Sequence, residues 1–285
     1  MKIVISASRR TDIPAFYMEW MMGEIEKGFF TIKNPYNSHI SIIPSTPDKV
    51  HTIVFWSKNF KPFIYGDYGK KLLNKGFNLF FNFTINSESK ILEPAILPLS
   101  DRLHQLEILC SYFDPITINW RFDPICFYKI KGNKIENNLG DFIRIAEYAG
   151  KLGIKRCITS FMDNYKKIQR RVKSISDFSF IEASIQEKIE ILLEMEKVLK
   201  TCNINLYTCC EKEILEQLPE NSSISKSSCI PNEFFIELFG GDVSIKKDTS
   251  QRMEAGCGCK VSHDIGLYKI HRCYNNCLYC YANPA

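Results

Sequence analysis

Short apolar runs recur along this chain, each ends in polar or charged residues, and helical patterns separate several of them. The first, "KIVISASRRTD", reads as a buried strand over 2–7 with Arg9, Arg10 and Asp12 in the loop that follows. Similar runs predict strands over 50–59, 77–86, 116–124, 155–163 and 203–211. Pro14 opens a helix over 17–27, and apolar stripes predict helices over 141–152 and 182–200, with a shorter one over 100–110. Residues 29–33 and 39–43 flank the turn sequence "NPYN" and read as a small hairpin. The strand-to-strand spacing suits parallel pairing through crossover helices. The expected fold is therefore α/β, a parallel β/α barrel, partial or complete.

In such a barrel, ligands bind where the strands end. The residues collected there are Lys58, Arg121, Asp123, Asp163 and Cys209. Arg10, Arg121 and Asp123 are the candidates for catalytic contacts, because arginine suits bidentate recognition of carboxylate or phosphate. The plainer account is that Arg121 pairs with Asp123, and that Asp123-Pro124 only starts a turn.

The chain has 285 residues, of which 45% are hydrophobic, which predicts a single domain over 1–285 with a cysteine-rich region at about 205–285. A net charge of +5 neither requires nor excludes nucleic acid. Arg9, Arg10 and Asp12 interrupt the apolar start at once, and no run reaches the length of a membrane span, so the expected location is the cytoplasm. A reducing compartment disfavours structural disulfides. Yet there are twelve cysteines, and they crowd toward the end: Cys209, Cys210, Cys229, Cys257, Cys259, Cys273, Cys277 and Cys280. Cys110, Cys126 and Cys157 lie in apolar surroundings and read as small buried hydrophobes. The late group reads as metal ligands. Phosphate-loop and serine-nucleophile motifs are missing.

Cys273-x3-Cys277-x2-Cys280 sets three thiols on one short loop, one short of the four that zinc or an iron–sulfur cube wants. Either His271 closes the set, or one iron stays open to a small molecule. The run, with Tyr279 before the last cysteine, resembles the cluster motif of radical S-adenosylmethionine enzymes. That resemblance implies a [4Fe–4S] cluster on Cys273, Cys277 and Cys280, with S-adenosylmethionine on the open iron. It further implies reductive cleavage to a 5′-deoxyadenosyl radical, with electrons from a donor such as flavodoxin or ferredoxin. In that superfamily the motif follows the first strand, whereas here it comes last. A circularly permuted barrel reconciles the two, with "IGLYKIH" (265–271) as the strand leading into the cluster loop and strand 2–7 beside it. Ser8, Arg9, Arg10, Thr11 and Asp12 then stand where the superfamily contacts the cofactor, although its glycine-glycine-glutamate pattern is missing there.

Along nearly its whole length the chain also resembles a bacterial family known as domain of unknown function 1848. The matching stretches include "SASRRTDIPAFY", "VFWSKN", "EPAILP", "WRFDPI", "QRMEAGCGCKVSHDIGLY" and "CYNNCLYCYAN".

Cys209, Cys229, Cys257 and Cys259 form a second candidate metal set, for another [4Fe–4S] cluster or for zinc, with Cys210 an extra. Gly256 and Gly258 permit the sharp turns of the C-x-C pair. The expected function is thus an iron–sulfur enzyme that generates a 5′-deoxyadenosyl radical on an unknown substrate. The alternative is an iron–sulfur or zinc protein without radical activity, associated with nucleic acid through Lys166, Lys167, Arg170, Arg171 and Lys173. A solvated helix face is the simpler account of that basic run.

Overall fold

The computed structural model describes residues 1–33, 39–132, 134–282 and 284. The strands, in chain order, are β1 (Ile3–Ala7), β2 (Phe29–Lys33), β3 (Ile40–Pro44), β4 (Val50–Ser57), β5 (Asn78–Thr84), β6 (Ile118–Ile125), β7 (Phe127–Ile130), β8 (Ile135–Asn137), β9 (Arg156–Phe161), β10 (Phe178–Ile181), β11 (Asn205–Thr208), β12 (Ser225–Lys226) and β13 (His263–Asp264). Eight of them make one sheet in the order β12-β11-β9-β6-β5-β4-β1-β13, every pair parallel. From β1 to β12 the spatial order follows the chain order, so the sheet winds one way, as a barrel does. The edge strands β12 and β13 do not pair with each other among the described residues. The core is a barrel-like arc of parallel strands with one open side.

Alternate residues explain the two layers of packing. Ile5, Ile53, Phe55, Phe81 and Cys157 face outward into the main core, against helices such as Leu99–Tyr112, Phe142–Lys151 and Ile185–Thr201. Their neighbours Val4, Val54, Phe80 and Ile158 face the inside of the arc, where Ile230, Phe235 and Val243 fill the space. Phe235 comes from the helix Asn232–Phe239, which plugs the interior. The long helix Ile185–Thr201 starts at a capping box in which Ser184 and Glu187 satisfy each other's backbone N–H groups.

The predicted strands at 2–7, 50–59, 77–86, 116–124, 155–163 and 203–211 all form, most trimmed by one to three residues at one or both ends, while β6 starts later than predicted and runs one residue past it, to Ile125. Residues 29–33 and 40–44 pair antiparallel, while the turn proposed for them lies outside the described residues. The helix placed at 100–110 is longer than expected, with 14 residues from Leu99 to Tyr112. The strand expected over 265–271 does not form. Instead β13 spans His263–Asp264 and pairs with Ile5 and Ser6. Ile265 closes that ladder by donating its N–H to the Ser6 carbonyl at 3.1 Å. After it the chain turns, with Leu267 N–H given to His271 Nδ1 at 3.2 Å and Ile270 left exposed. Strand 2–7 lies beside β13, the short segment that precedes the late cysteines.

A separate antiparallel sheet, β10-β7-β8, packs against the late cysteine loop through Tyr128, Phe178 and Phe180, which share a cluster with Cys277, Leu278 and Tyr279. No helix of the described residues is long and apolar enough to cross a membrane.

Candidate functional site

One open cavity of about 260 Å³ lies over the C-terminal ends of the strands. It is lined by Ser8, Arg9, Arg10, Thr11 and Asp12 after β1, by Arg121 and Asp123 from β6, and by Cys209 after β11. Cys229, Cys257, Cys259, Cys273, Cys277 and Cys280 line it as well. The candidate catalytic, cofactor-contacting and cysteine residues named from the sequence therefore share this one space, whereas His271 and the basic run at 166–173 do not line it.

Asp264 anchors the loop after β1. Its carboxylate accepts from Ser6 Oγ at 3.1 Å, Ser8 Oγ at 2.6 Å, Arg9 N–H at 2.7 Å and Gly266 N–H at 3.0 Å. Arg10 approaches the same carboxylate at 3.8 Å and donates to the Gly266 carbonyl at 3.1 Å. A Cβ on Gly266 would meet Ser8 Oγ at 2.2 Å, so only glycine fits this crossing. Asp12 is buried and already holds four donors: Ala15 N–H, Ser57 Oγ, Lys58 N–H and Asn275 Nδ2. It ties the first strand, the fourth strand and the late cysteine loop together, and it has little left for a ligand. Thr11 Oγ1, Arg9 Nη2 and Trp56 Nε1 are buried with no hydrogen-bond partner among the described residues.

Arg121 and Asp123 do pair, and Ser160 donates to the other oxygen of Asp123. Burial pushes the Asp123 carboxyl up, but Arg121 and Ser160 outweigh it and hold it below the usual carboxylate range. Arg121 also donates from Nη1 to Cys229 Sγ at 2.6 Å and sits 5.2 Å from the Trp56 ring centre. Arg9 stands 5.7 Å from the same ring, so Trp56 has two guanidinium groups as neighbours.

Beneath the late cysteine loop lies a polar network that sequence reasoning missed. Glu93 accepts from Lys58 Nζ at 2.7 Å, from Asn86 Nδ2 at 3.0 Å and from the Tyr279 hydroxyl. Arg102 stands 3.9 Å from its other oxygen. Burial raises the Glu93 carboxyl, yet Lys58, Tyr279 and Arg102 outweigh it, and it stays below the usual range. Its one signal in sequence was an isolated glutamate inside the apolar stretch "EPAILP". Tyr279 is buried on this network, whereas Tyr274 and Tyr281 are exposed, so of the three tyrosines only Tyr279 is shielded.

The basic run at 166–173 forms a helix over Lys166–Val172, and it is not simply a solvated face. Arg171 Nη1 donates to the carbonyls of Cys277, Leu278 and Cys280 at 3.2, 2.8 and 3.0 Å, and Lys167 reaches the Ala282 carbonyl at 3.2 Å. Two of the five cations are thus spent on the chain itself, which weakens the nucleic-acid reading. Arg171→Met keeps the stem and removes three charge-assisted bonds. It should speed amide exchange at 277–281 by about tenfold to a hundredfold, the equivalent of roughly 1.5–3 kcal/mol. Unchanged exchange would mean that Arg171 does not hold the loop.

His271 does not face the cavity. It packs against Tyr17 and Trp20, with ring centres 4.6 and 4.1 Å away, and its Nδ1 accepts from Leu267. That placement does not suit a fourth ligand beside Cys273. Cys210, set aside as an extra in the sequence, lines the cavity with its Sγ 3.7 Å from Cys209 Sγ. Burial pushes the Cys273 thiol up to about 12 and Cys277 well above its ordinary value. Among the described residues, no three His, Cys, Asp or Glu side chains already form a ready-made metal cage.

A parallel β/α barrel-like scaffold with a polar, thiol-rich cavity at its strand ends is an enzyme-like arrangement. The sequence profile of the family described as Domain of unknown function (DUF1848) matches residues 4–282, and the chain belongs to that family. No curated protein matches it.

Proposed function

We propose that this protein is an iron–sulfur enzyme that binds S-adenosylmethionine and starts radical chemistry on a substrate held in the same cavity. One observation carries the reading: Cys273, Cys277 and Cys280, spaced for a three-thiolate cluster loop, line one cavity with the polar loop after β1. The donor set fits a [4Fe–4S] cluster with one corner left open, because the loop supplies three thiols and His271 packs against Tyr17 and Trp20 instead of lining the cavity. Cys273, Cys277 and Cys280 would hold the cluster, which would supply one-electron reduction toward the cofactor's sulfonium.

The chain's own residues have distinct tasks on this reading. Arg171 holds the cysteine loop through its carbonyls, and Asp12 holds it through Asn275. Lys58 lies close to Cys277 and places positive charge beside the thiolates. Thr11 Oγ1 and Arg9 Nη2 are the unspent donors for the cofactor's polar groups. Arg10, Arg121 and Asp123 line the substrate space and offer charged contacts there. Electrons come from a small carrier such as flavodoxin or ferredoxin, and the whole of 1–285 works as one unit.

The test is anaerobic reconstitution with iron and sulfide, then reduction in the presence of S-adenosylmethionine. The expected result is about four irons per chain at the loop and release of 5′-deoxyadenosine, both lost in the Cys273/Cys277/Cys280→Ala variant. A loop that takes up only zinc, or a full cluster that never cleaves the cofactor, would overturn the reading.

A further inference from the structure

Five thiols from three chain segments meet across the open side of the sheet. Cys209 and Cys210 follow β11, Cys229 follows β12, and Cys257 and Cys259 precede β13. Cys209 Sγ lies 3.7 Å from Cys210 Sγ and 4.0 Å from Cys229 Sγ. Cys229 in turn contacts Cys259, Cys259 contacts Cys257, and Cys257 contacts Cys210. Cys229, Cys257 and Cys259 are buried. Two guanidinium groups touch this ring: Arg121 at Cys229 and Arg9 at Cys259.

We propose that Cys209, Cys229, Cys257 and Cys259 bind a single tetrahedral zinc ion, separate from the Cys273 loop, and that this ion closes the open side of the barrel. The spacing favours one ion over a second cube. Zinc–thiolate bonds of about 2.3 Å place the corners of a tetrahedron about 3.8 Å apart. A cube binds each thiolate to a different iron and spreads them further. The charge also fits. Four thiolates around a divalent ion carry two net negative charges, and Arg9 and Arg121 stand against the ring with their positive charge while also pairing with Asp248 and Asp123.

The backbone is already arranged for closure. Lys260 N–H donates to the Ile230 carbonyl at 3.0 Å, and Asp248 N–H to the Cys259 carbonyl at 3.0 Å. A Cβ on Gly258 would meet the Ser227 carbonyl at 2.4 Å, so the C-G-C turn is pressed against the segment that carries Cys229. The sulfurs touch pairwise in a ring rather than around one point, so binding the ion means turning side chains inward. Four ligands suffice, and Cys210 is the spare. It holds a left-handed backbone with φ of 63° and is less buried than Cys229, Cys257 or Cys259.

The experiment is elemental analysis of the purified chain and its variants, with cobalt(II) substitution as a second readout. About one zinc per chain is expected in the native protein, kept in Cys210→Ser and in Cys273/Cys277/Cys280→Ala, and lost in Cys229→Ser. If the Cys229 variant fails to fold, the native chain stripped of metal and titrated with cobalt should still show the intense thiolate-to-cobalt absorption of a four-sulfur tetrahedral site. Four extra irons that disappear with Cys229 would replace the zinc ion by a cube, and no cobalt signal would remove the site altogether. Neither result would touch the iron count at the Cys273 loop, so the two proposals fail separately.

Discussion

Glu93→Ala should lower the folding stability by about 3–5 kcal/mol, the cost of leaving buried charges without their partner. Glu93 is 3% exposed, and its removal strands Lys58 Nζ and Arg102 on one side and the Tyr279 hydroxyl and Asn86 on the other. Chemical denaturation followed by tryptophan fluorescence reads the loss. Trp120 is fully buried and Trp56 borders the cavity, so both report on the packed state. The same carboxylate sets a pH dependence with a definite sign. Its folded pKa is depressed, so its stabilisation is full above the ordinary glutamate range near 4.3 and is lost as pH falls through the lower folded value. Glu93→Gln should flatten that acid limb. An acid limb identical in the native protein and Glu93→Gln would show that the network does not contribute.

The second large effect is expected at Asp264. Asp264→Ala leaves Ser6, Ser8, the Arg9 and Gly266 N–H groups and the Arg10 guanidinium without their shared acceptor. A loss of about 3 kcal/mol or more follows, since each hydrogen bond to a charged group contributes roughly 1.5–3 kcal/mol and the five donors do not add independently. Asp264→Asn keeps one good acceptor oxygen and should recover part of it. Hydrogen exchange at Ser6 and Ile265 should rise with the damage, because β13 is bonded to β1 beside this carboxylate. A stable Asp264→Ala protein with protected Ser6 and Ile265 would remove Asp264 from its organising place.

The main sheet was legible because its strands are buried on both faces. Stretches such as Val50–Ser57 and Asn78–Thr84 are almost continuously buried, and a parallel strand of that kind leaves an apolar run in the sequence. The same signal misled at 265–271. Ile265, Leu267 and Ile270 resemble a strand by residue type, but only Ile265 is fully buried, and the turn begun at Gly266 sets the chain against Ser8. The sheet β10-β7-β8 left little trace, since Ile135–Asn137 is wholly exposed. The helix Asn232–Phe239 was missed because it is short: Glu233 and Glu237 mark an exposed face, but eight residues give only about two turns of the pattern. The cavity-lining residues could be found because they sit just past strand ends. Glu93 could not, because it lies in an irregular loop and its role depends on partners as distant as Tyr279.

The pairing of Ile5 with His263 has a consequence for how the molecule comes into being. During synthesis the first strand leaves the ribosome long before the segment that covers its edge. Until residue 263 follows, that edge offers unpaired backbone groups to any passing strand. The contact between Ser6 and Asp264 spans 258 residues, so the edge of the first strand is covered only once the chain through residue 264 has been made.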